Sequence, residues 1–203
     1  MSEFDAKARD WDKNQQSIDR SEAVARALLQ MVPVKTGMKA LEYGSGTGTL
    51  SVLLKDRLAD ITLMDSSKEM TKVATEKIKA LGIQNMKALY FDLEHEEFEG
   101  HFDIIYSQMV MHHVNDIEAM FASFYSLLLP GGYLAIADLY TEDGSFHGEG
   151  FNGHLGFDID EFATWLKNSG FKNISHQKCH TMKRPDEMDK VKEFPIFLIV
   201  AVK

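Results

Sequence analysis

The run Lys39-Ala-Leu-Glu-Tyr43, then Gly44-Ser45-Gly46-Thr47-Gly48, then Thr49-Leu50-Ser-Val-Leu-Leu54 decides how this chain is read. The first five residues form a short apolar run of strand type, and Leu50–Leu54 is a short helical run. The glycines between them let the backbone turn tightly and let a ligand approach the main chain. In an open α/β sheet, nucleotides bind in the crevice at such carboxyl ends. The spacing here is G-x-G-x-G. Counted from Gly44, the dinucleotide fingerprint G-x-G-x-x-G/A ends on Thr49 and therefore fails, and no Gly-Lys-Ser/Thr follows to make a phosphate-binding P-loop.

The alternation continues on both sides of this run. Strands are expected at Ile61–Asp65, Met86–Phe91, Phe102–Ser107, Tyr133–Leu139 and Pro195–Val202. Ser66-x-x-Glu69 opens a helix with Met70, Val73, Ala74, Ile78 and Leu81 on its apolar face, closed by Gly82. Asp158-x-x-Glu161 opens another with Phe162, Trp165 and Leu166, closed by Gly170. Asp19-x-x-Glu22 precedes Val24, Leu28 and Met31, and a fourth helix follows Asn115-Asp116. In each signal a side-chain oxygen caps free backbone N–H groups while a nearby acid favours the positive helix end. Such alternation predicts one doubly wound α/β domain over residues 1–203, with helices on both faces of a mostly parallel sheet. The apolar stretches around Ile174 and at Pro195–Val202 have no helix between them, which predicts a closing antiparallel pair.

With 203 residues, 44% hydrophobic and 26% charged, the chain has an ordinary globular composition. Its single cysteine, Cys179, excludes a disulfide framework and a multi-thiolate zinc cluster. No apolar run reaches the ~18 residues of a membrane span, and the opening residues are too polar for a signal peptide, so a cytoplasmic chain without a membrane partner is expected. A net charge of −9 argues against nucleic acid as a partner. Two acids follow the glycine loop. Asp65 closes the second strand and suits a ribose diol; Asp92 closes the third and is placed to accept from an exocyclic amine. Together they fit adenosine without a need for phosphate.

At these residues the chain resembles the class I S-adenosylmethionine-dependent methyltransferases. Glu42-x-Gly44-x-Gly46-x-Gly48, Met64-Asp65, Phe91-Asp92-Leu93, Phe102-Asp-Ile-Ile-Tyr-Ser107 and Leu129-Pro-Gly-Gly132 match that family's successive motifs in order. The resemblance implies a Rossmann-like seven-stranded sheet ordered 3-2-1-4-5-7-6 with strand 7 antiparallel. It implies S-adenosylmethionine as cofactor and S-adenosylhomocysteine as product. Gly44, Ser45, Gly46 and Gly48 would lie against the methionine part, and Glu42 would meet its amine through the loop or a water. Asp65 would hold the ribose, with Met64 or Ser66 beside the adenine. Asp92 and Leu93 would take the adenine edge, and Ser107 and Gln108 would face the sulfonium and the acceptor.

The acceptor is set by other residues. The Pro-Pro motif of amino-methylating nucleic-acid enzymes is missing after strand four, where the chain reads Ser107-Gln-Met-Val-Met-His112-His113. A small-molecule acceptor is expected, on a monomer or homodimer. The N-terminal segment, residues 1–20, resembles the lid of quinone-biosynthesis-type enzymes at Phe4, Ala8 and Trp11. Residues 141–157 hold five glycines, three phenylalanines, His147 and His154. A long irregular loop of that kind is usually a binding element, so it is read as the acceptor-side loop. His112, His113, His147 and His154 are the candidate catalytic residues, since a neutral imidazole can take a proton near neutral pH. No helical His spacing supports a metal, and none is expected. The rival readings are an idle cofactor-binding protein, a protein methyltransferase and, against the glycine spacing, a nicotinamide oxidoreductase.

Overall fold

The computed structural model describes residues 3–185 and 190–203. Seven strands form one sheet in the order β3-β2-β1-β4-β5-β7-β6. They are β1 (Lys39–Tyr43), β2 (Asp60–Asp65), β3 (Met86–Tyr90), β4 (Phe102–Gln108), β5 (Leu128–Leu139), β6 (Lys172–Pro185) and β7 (Val191–Val202). Pairing is parallel from β3 through β5, and β7 runs antiparallel to both β5 and β6. The expected order and the closing antiparallel pair are both present. Strands β5 and β7 start earlier than expected, because their first residues continue the ladders with β4 and β6.

Period-two alternation sorts strand side chains between the two faces. In β7, Ile196, Leu198 and Val200 join one core with α2 (Gln15–Met31), α3 (Thr49–Leu54) and α4 (Lys68–Ala80). Phe197, Ile199 and Ala201 join the other with α5 (Ile117–Leu127) and α6 (Ile159–Asn168). Two helix starts differ from the sequence reading. α2 begins at Gln15 because the Asn14 side chain accepts from Gln16 N–H at 3.0 Å, and Asp19 pairs with Gln15 inside the helix at 2.7 Å. α4 is capped by Ser67, whose hydroxyl accepts from Met70 N–H at 3.2 Å, leaving Ser66 one residue outside. Asp158 caps α6 as expected, and α5 begins where expected, with Asp116 as its cap.

The N-terminal turns cross the carboxyl ends of β1 and β2. A short helix α1 (Glu3–Lys7) leads into a 3-10 turn at Ala8–Lys13. Ala8 is buried, and the ring of Phe4 lies edge-on to Trp11 and to His113. Among the described residues, no helix is long and apolar enough to cross a membrane.

Candidate active site

The glycine loop leaves β1 with three left-handed residues, Gly44, Gly46 and Gly48, at φ of 63°, 53° and 77°. Each glycine has its own reason. A Cβ on Gly44 would overlap the side chain of Val110, and one on Gly48 would come within 2.6 Å of Leu63 Cδ1. A Cβ on Gly46 would lie 3.8 Å from Trp11 Nε1 and 3.9 Å from Met70 Sδ, ordinary contact distances, so there it is the left-handed φ that favours glycine. Gly44 and Gly48 therefore close the loop onto the sheet, while Gly46 faces Trp11.

Asp65 holds this loop in shape. Its two oxygens accept from Gly46 N–H at 2.7 Å and from Ser67 N–H at 2.8 Å, tying the loop to the start of α4. Burial pushes its carboxyl up, against the pull of those two backbone donors. Asp92 accepts from Glu94 N–H at 3.1 Å and faces the His95 ring at 3.0 Å, so it closes its own turn; Leu93 beside it is buried. Ser45 donates its N–H to the Met64 carbonyl at 3.0 Å. The Met64 side chain, expected near the adenine, lies wholly within the core under α5 and α6, so only its carbonyl reaches the loop. Ser66 is exposed.

Glu42 has a nearer partner than the amine expected for it. It is 2% exposed and accepts from Ser51 Oγ, which lies 2.6 Å from the Tyr106 hydroxyl. Burial raises its carboxyl to about 8. Between pH 4.5, the ordinary value, and about 8, the folded chain keeps a proton that the unfolded chain has released, so stability falls as pH rises through that window. Glu42→Gln should flatten this part of the profile and melt several degrees above the unsubstituted chain at the window's upper end. Thermal melts across the window check this, and parallel profiles would refute it.

β4 ends on Ser107 and Gln108. Gln108 donates to Ser21 Oγ at 2.8 Å, while its Oε1 and the Ser107 hydroxyl are buried with no partner. Met109 then takes φ 58°, rare for a residue with a side chain. This bend swings the chain into the 3-10 turn Met111–His113. Strain of this kind gathers at functional sites.

At that turn three of the four candidate histidines meet. The rings of His112 and His113 are 4.2 Å apart, and His147 lies 4.8 Å and 5.6 Å from them. His147 stacks on Phe151 at 3.8 Å. Burial, with His112, His113 and Arg184 nearby, lowers His147 to about 4, so it is neutral at physiological pH; its Nδ1 is buried without a partner. His154 is not part of this cluster. Its ring bonds the Val114 carbonyl at 3.0 Å and its N–H donates to the His112 carbonyl at 2.8 Å, so it pins the loop to the turn. Gly153 allows that contact, because a Cβ there would collide with the His112 carbonyl.

Two site residues escaped the sequence reading. Asp138, fully buried in β5, lies 2.6 Å from His112 Nδ1 and accepts from Leu139 N–H at 2.7 Å. An acid inside the apolar run Tyr133–Leu139 was the available signal. Arg20 occupies the buried face of α2, with Nη1 3.7 Å from Met182 Sδ and Nε without a partner. Burial lowers its guanidinium to about 10, partly offset by Asp138. Arg20 lines a narrow cleft with Trp11, Ser45, Thr47 and Gln108. The cleft joins the glycine loop to the end of β4.

The family profile for the methyltransferase domain matches residues 16–176, most of this chain. The chain belongs to the methyltransferase-domain family. Its seven-stranded order is that of the methyltransferase Rossmann-like fold. It is 28% identical over 156 residues to a Schizosaccharomyces pombe protein named as an uncharacterized methyltransferase, covering 68% of this chain and 55% of that one. It is 32% identical over 118 residues to a ubiquinone/menaquinone biosynthesis C-methyltransferase of Shewanella halifaxensis, covering 56% and 47%. The chain thus spans about half the length of both relatives. In fold it resembles an S-adenosylmethionine-dependent methyltransferase from Aquifex aeolicus, with a TM-score of 0.71, 18% identity, and coverage of 98% of this chain and 97% of that one.

The residues present fit S-adenosylmethionine: beside the glycine loop, the Ser107 hydroxyl and Gln108 Oε1 are buried polar atoms without a hydrogen-bond partner among the described residues.

Proposed function

We propose that this chain transfers a methyl group from S-adenosylmethionine to a small-molecule acceptor seated between the end of β4, the histidine turn and residues 141–157. The observation that carries this reading is the placement of the orphaned Ser107 and Gln108 oxygens between the glycine loop and a histidine cluster walled by Phe4 and Phe151. S-adenosylmethionine supplies a methyl carbon on a sulfonium, already activated toward displacement. The chain's task is then alignment of the two reactants.

On this reading Gly44, Ser45, Gly46 and Gly48 hold the methionine part, Asp65 the ribose, and Asp92 and Leu93 the adenine edge. Ser107 and Gln108 orient the reacting centre. The Asp138 carboxylate fixes His112 with its proton on Nδ1, so Nε2 presents a lone pair to an acceptor proton. His147, neutral and stacked on Phe151, orients the acceptor. The relationship to a quinone-biosynthesis C-methyltransferase supports a small acceptor.

Residues 1–20 act as the lid. Asp12 accepts from Thr47 Oγ1 at 2.6 Å and Thr49 Oγ1 at 3.0 Å and pairs with Lys77 at 2.7 Å. Asp5 accepts from Ser67 Oγ at 2.6 Å. Burial pushes Asp12 up, yet Lys77, Thr47 and Thr49 together hold it below the usual carboxylate range. Asp12→Ala should loosen the lid and speed S-adenosylhomocysteine release several-fold in stopped-flow, with little change in melting temperature. Unchanged release would remove the lid role.

The reading is tested by incubating the protein with methyl-labelled S-adenosylmethionine and panels of quinols, phenols, thiols, amines and proteins. Label is expected in a small-molecule fraction. Label found in protein alone would overturn the acceptor class.

A further inference from the structure

We infer that His112, His113 and His147 form a binding site for one divalent transition-metal ion of the zinc or cobalt type. The three side chains offer nitrogen atoms that all lie within 4.8 Å of one another. They come from two separate segments, the turn after β4 and the loop after β5, so no local spacing in the sequence announces them.

Around a tetrahedral ion with metal–nitrogen bonds of about 2.0–2.1 Å, the ligand nitrogens sit roughly 3.3 Å apart. Here they already lie within 4.8 Å of one another. Closing on an ion therefore asks for side-chain movements of about an ångström.

The surroundings also match. Asp138 lies 2.6 Å from His112 Nδ1, which leaves Nε2 as the ligand atom; a carboxylate behind a ligating histidine is the usual way of setting ring and tautomer. His147 is fixed by its stack on Phe151, and its Nδ1 is buried with no protein partner. His113 is braced edge-on by Phe4 and Phe151.

The neighbouring charges do not forbid a cation. Arg20 is opposed by Asp138, and Arg184 by Glu142, so the two guanidiniums are offset by two carboxyls. Three imidazoles suit zinc, cobalt, nickel or copper rather than magnesium or calcium. Three protein ligands leave a fourth position open, as catalytic zinc sites do. That this position would take an acceptor atom rests on the methyl-transfer reading. Binding of the ion does not.

The test uses the full chain, free of any polyhistidine tag and stripped with chelator, titrated with Co²⁺ in the absence of methyl donor and acceptor. One equivalent of Co²⁺ should bind and develop the intense visible bands of low-coordinate cobalt, and zinc should displace it. His147→Ala should abolish the bands. Asp138→Asn should weaken binding about 10–100-fold. Replacing exposed His176 by Ala should change nothing. An S-adenosylhomocysteine titration of each variant shows whether the glycine-loop site is still folded. His113→Ala replaces His147→Ala if that variant fails this control. Absence of stoichiometric cobalt binding, or bands that survive both histidine substitutions, would overturn the proposal. Because the readout involves no methyl transfer, its failure leaves the proposed function standing, with His112 Nε2 as the base; an ion bound at that nitrogen would instead take over the activation of the acceptor, and methyl transfer that failed would leave ion binding untouched.

Discussion

Asp138→Asn is expected to lower kcat by about 10²–10⁴-fold, the range carried by a positioned general base, while the affinity for S-adenosylhomocysteine stays unchanged. The carboxylate lies 2.6 Å from His112 Nδ1 in a fully buried setting. An asparagine keeps its oxygen on Leu139 N–H and on the His112 ring, because the same Asp138 oxygen serves both, but it carries no negative charge. The imidazolium that forms when His112 takes the acceptor proton then loses its stabilising partner. A purely structural role for Asp138 gives a different pattern. Loss of a buried partner would lower the melting temperature, by about 1–3 kcal/mol of stability, with kcat per folded molecule preserved. Steady-state kinetics and melting curves on one preparation separate the two cases.

Asp65→Ala is expected to weaken S-adenosylhomocysteine binding by about 100-fold or more. Hydrogen bonds to a charged group contribute roughly 1.5–3 kcal/mol each, and on the proposed reading two ribose hydroxyls lose theirs. The same carboxylate also loses its hold on Gly46 N–H and Ser67 N–H, so the loop loosens as the ligand contacts go. Asp65→Asn keeps an acceptor for one of the two backbone donors and should fall between the two. Calorimetric titration of both variants checks the order. Wild-type affinity in Asp65→Ala would remove the ribose assignment.

The fold was legible in the sequence because its signals are local. Alternating apolar runs, caps at Asp116 and Asp158, and the glycine turn each act over a few residues, and the structure places all of them. The errors at Asn14 and Ser67 came from competition between neighbouring caps. Asp19 and Ser66 carry the right oxygen, but a nearby side chain reaches the free N–H groups better. Met64 shows the limit of a motif, whose position next to Asp65 says nothing about which face of β2 its side chain takes.

The acceptor side was less legible, for a physical reason. His112 and His147 are 35 positions apart and meet only because β5 carries the chain away and the following loop returns it. Helical spacing says nothing about side chains that two separate segments bring together. Asp138 and Arg20 were readable only as charges in apolar patterns, and their partners cannot be named until the sheet is assembled. His154, alike in composition, became a structural pin through Val114 and Gly153.

The central claim is that the loop Gly44–Gly48 with Asp65 holds S-adenosylmethionine. Isothermal calorimetry of the purified chain with S-adenosylmethionine, S-adenosylhomocysteine and NAD tests it most directly. Micromolar binding of the first two, with no heat from NAD, is the predicted result. Binding of NAD without either sulfur ligand would contradict it.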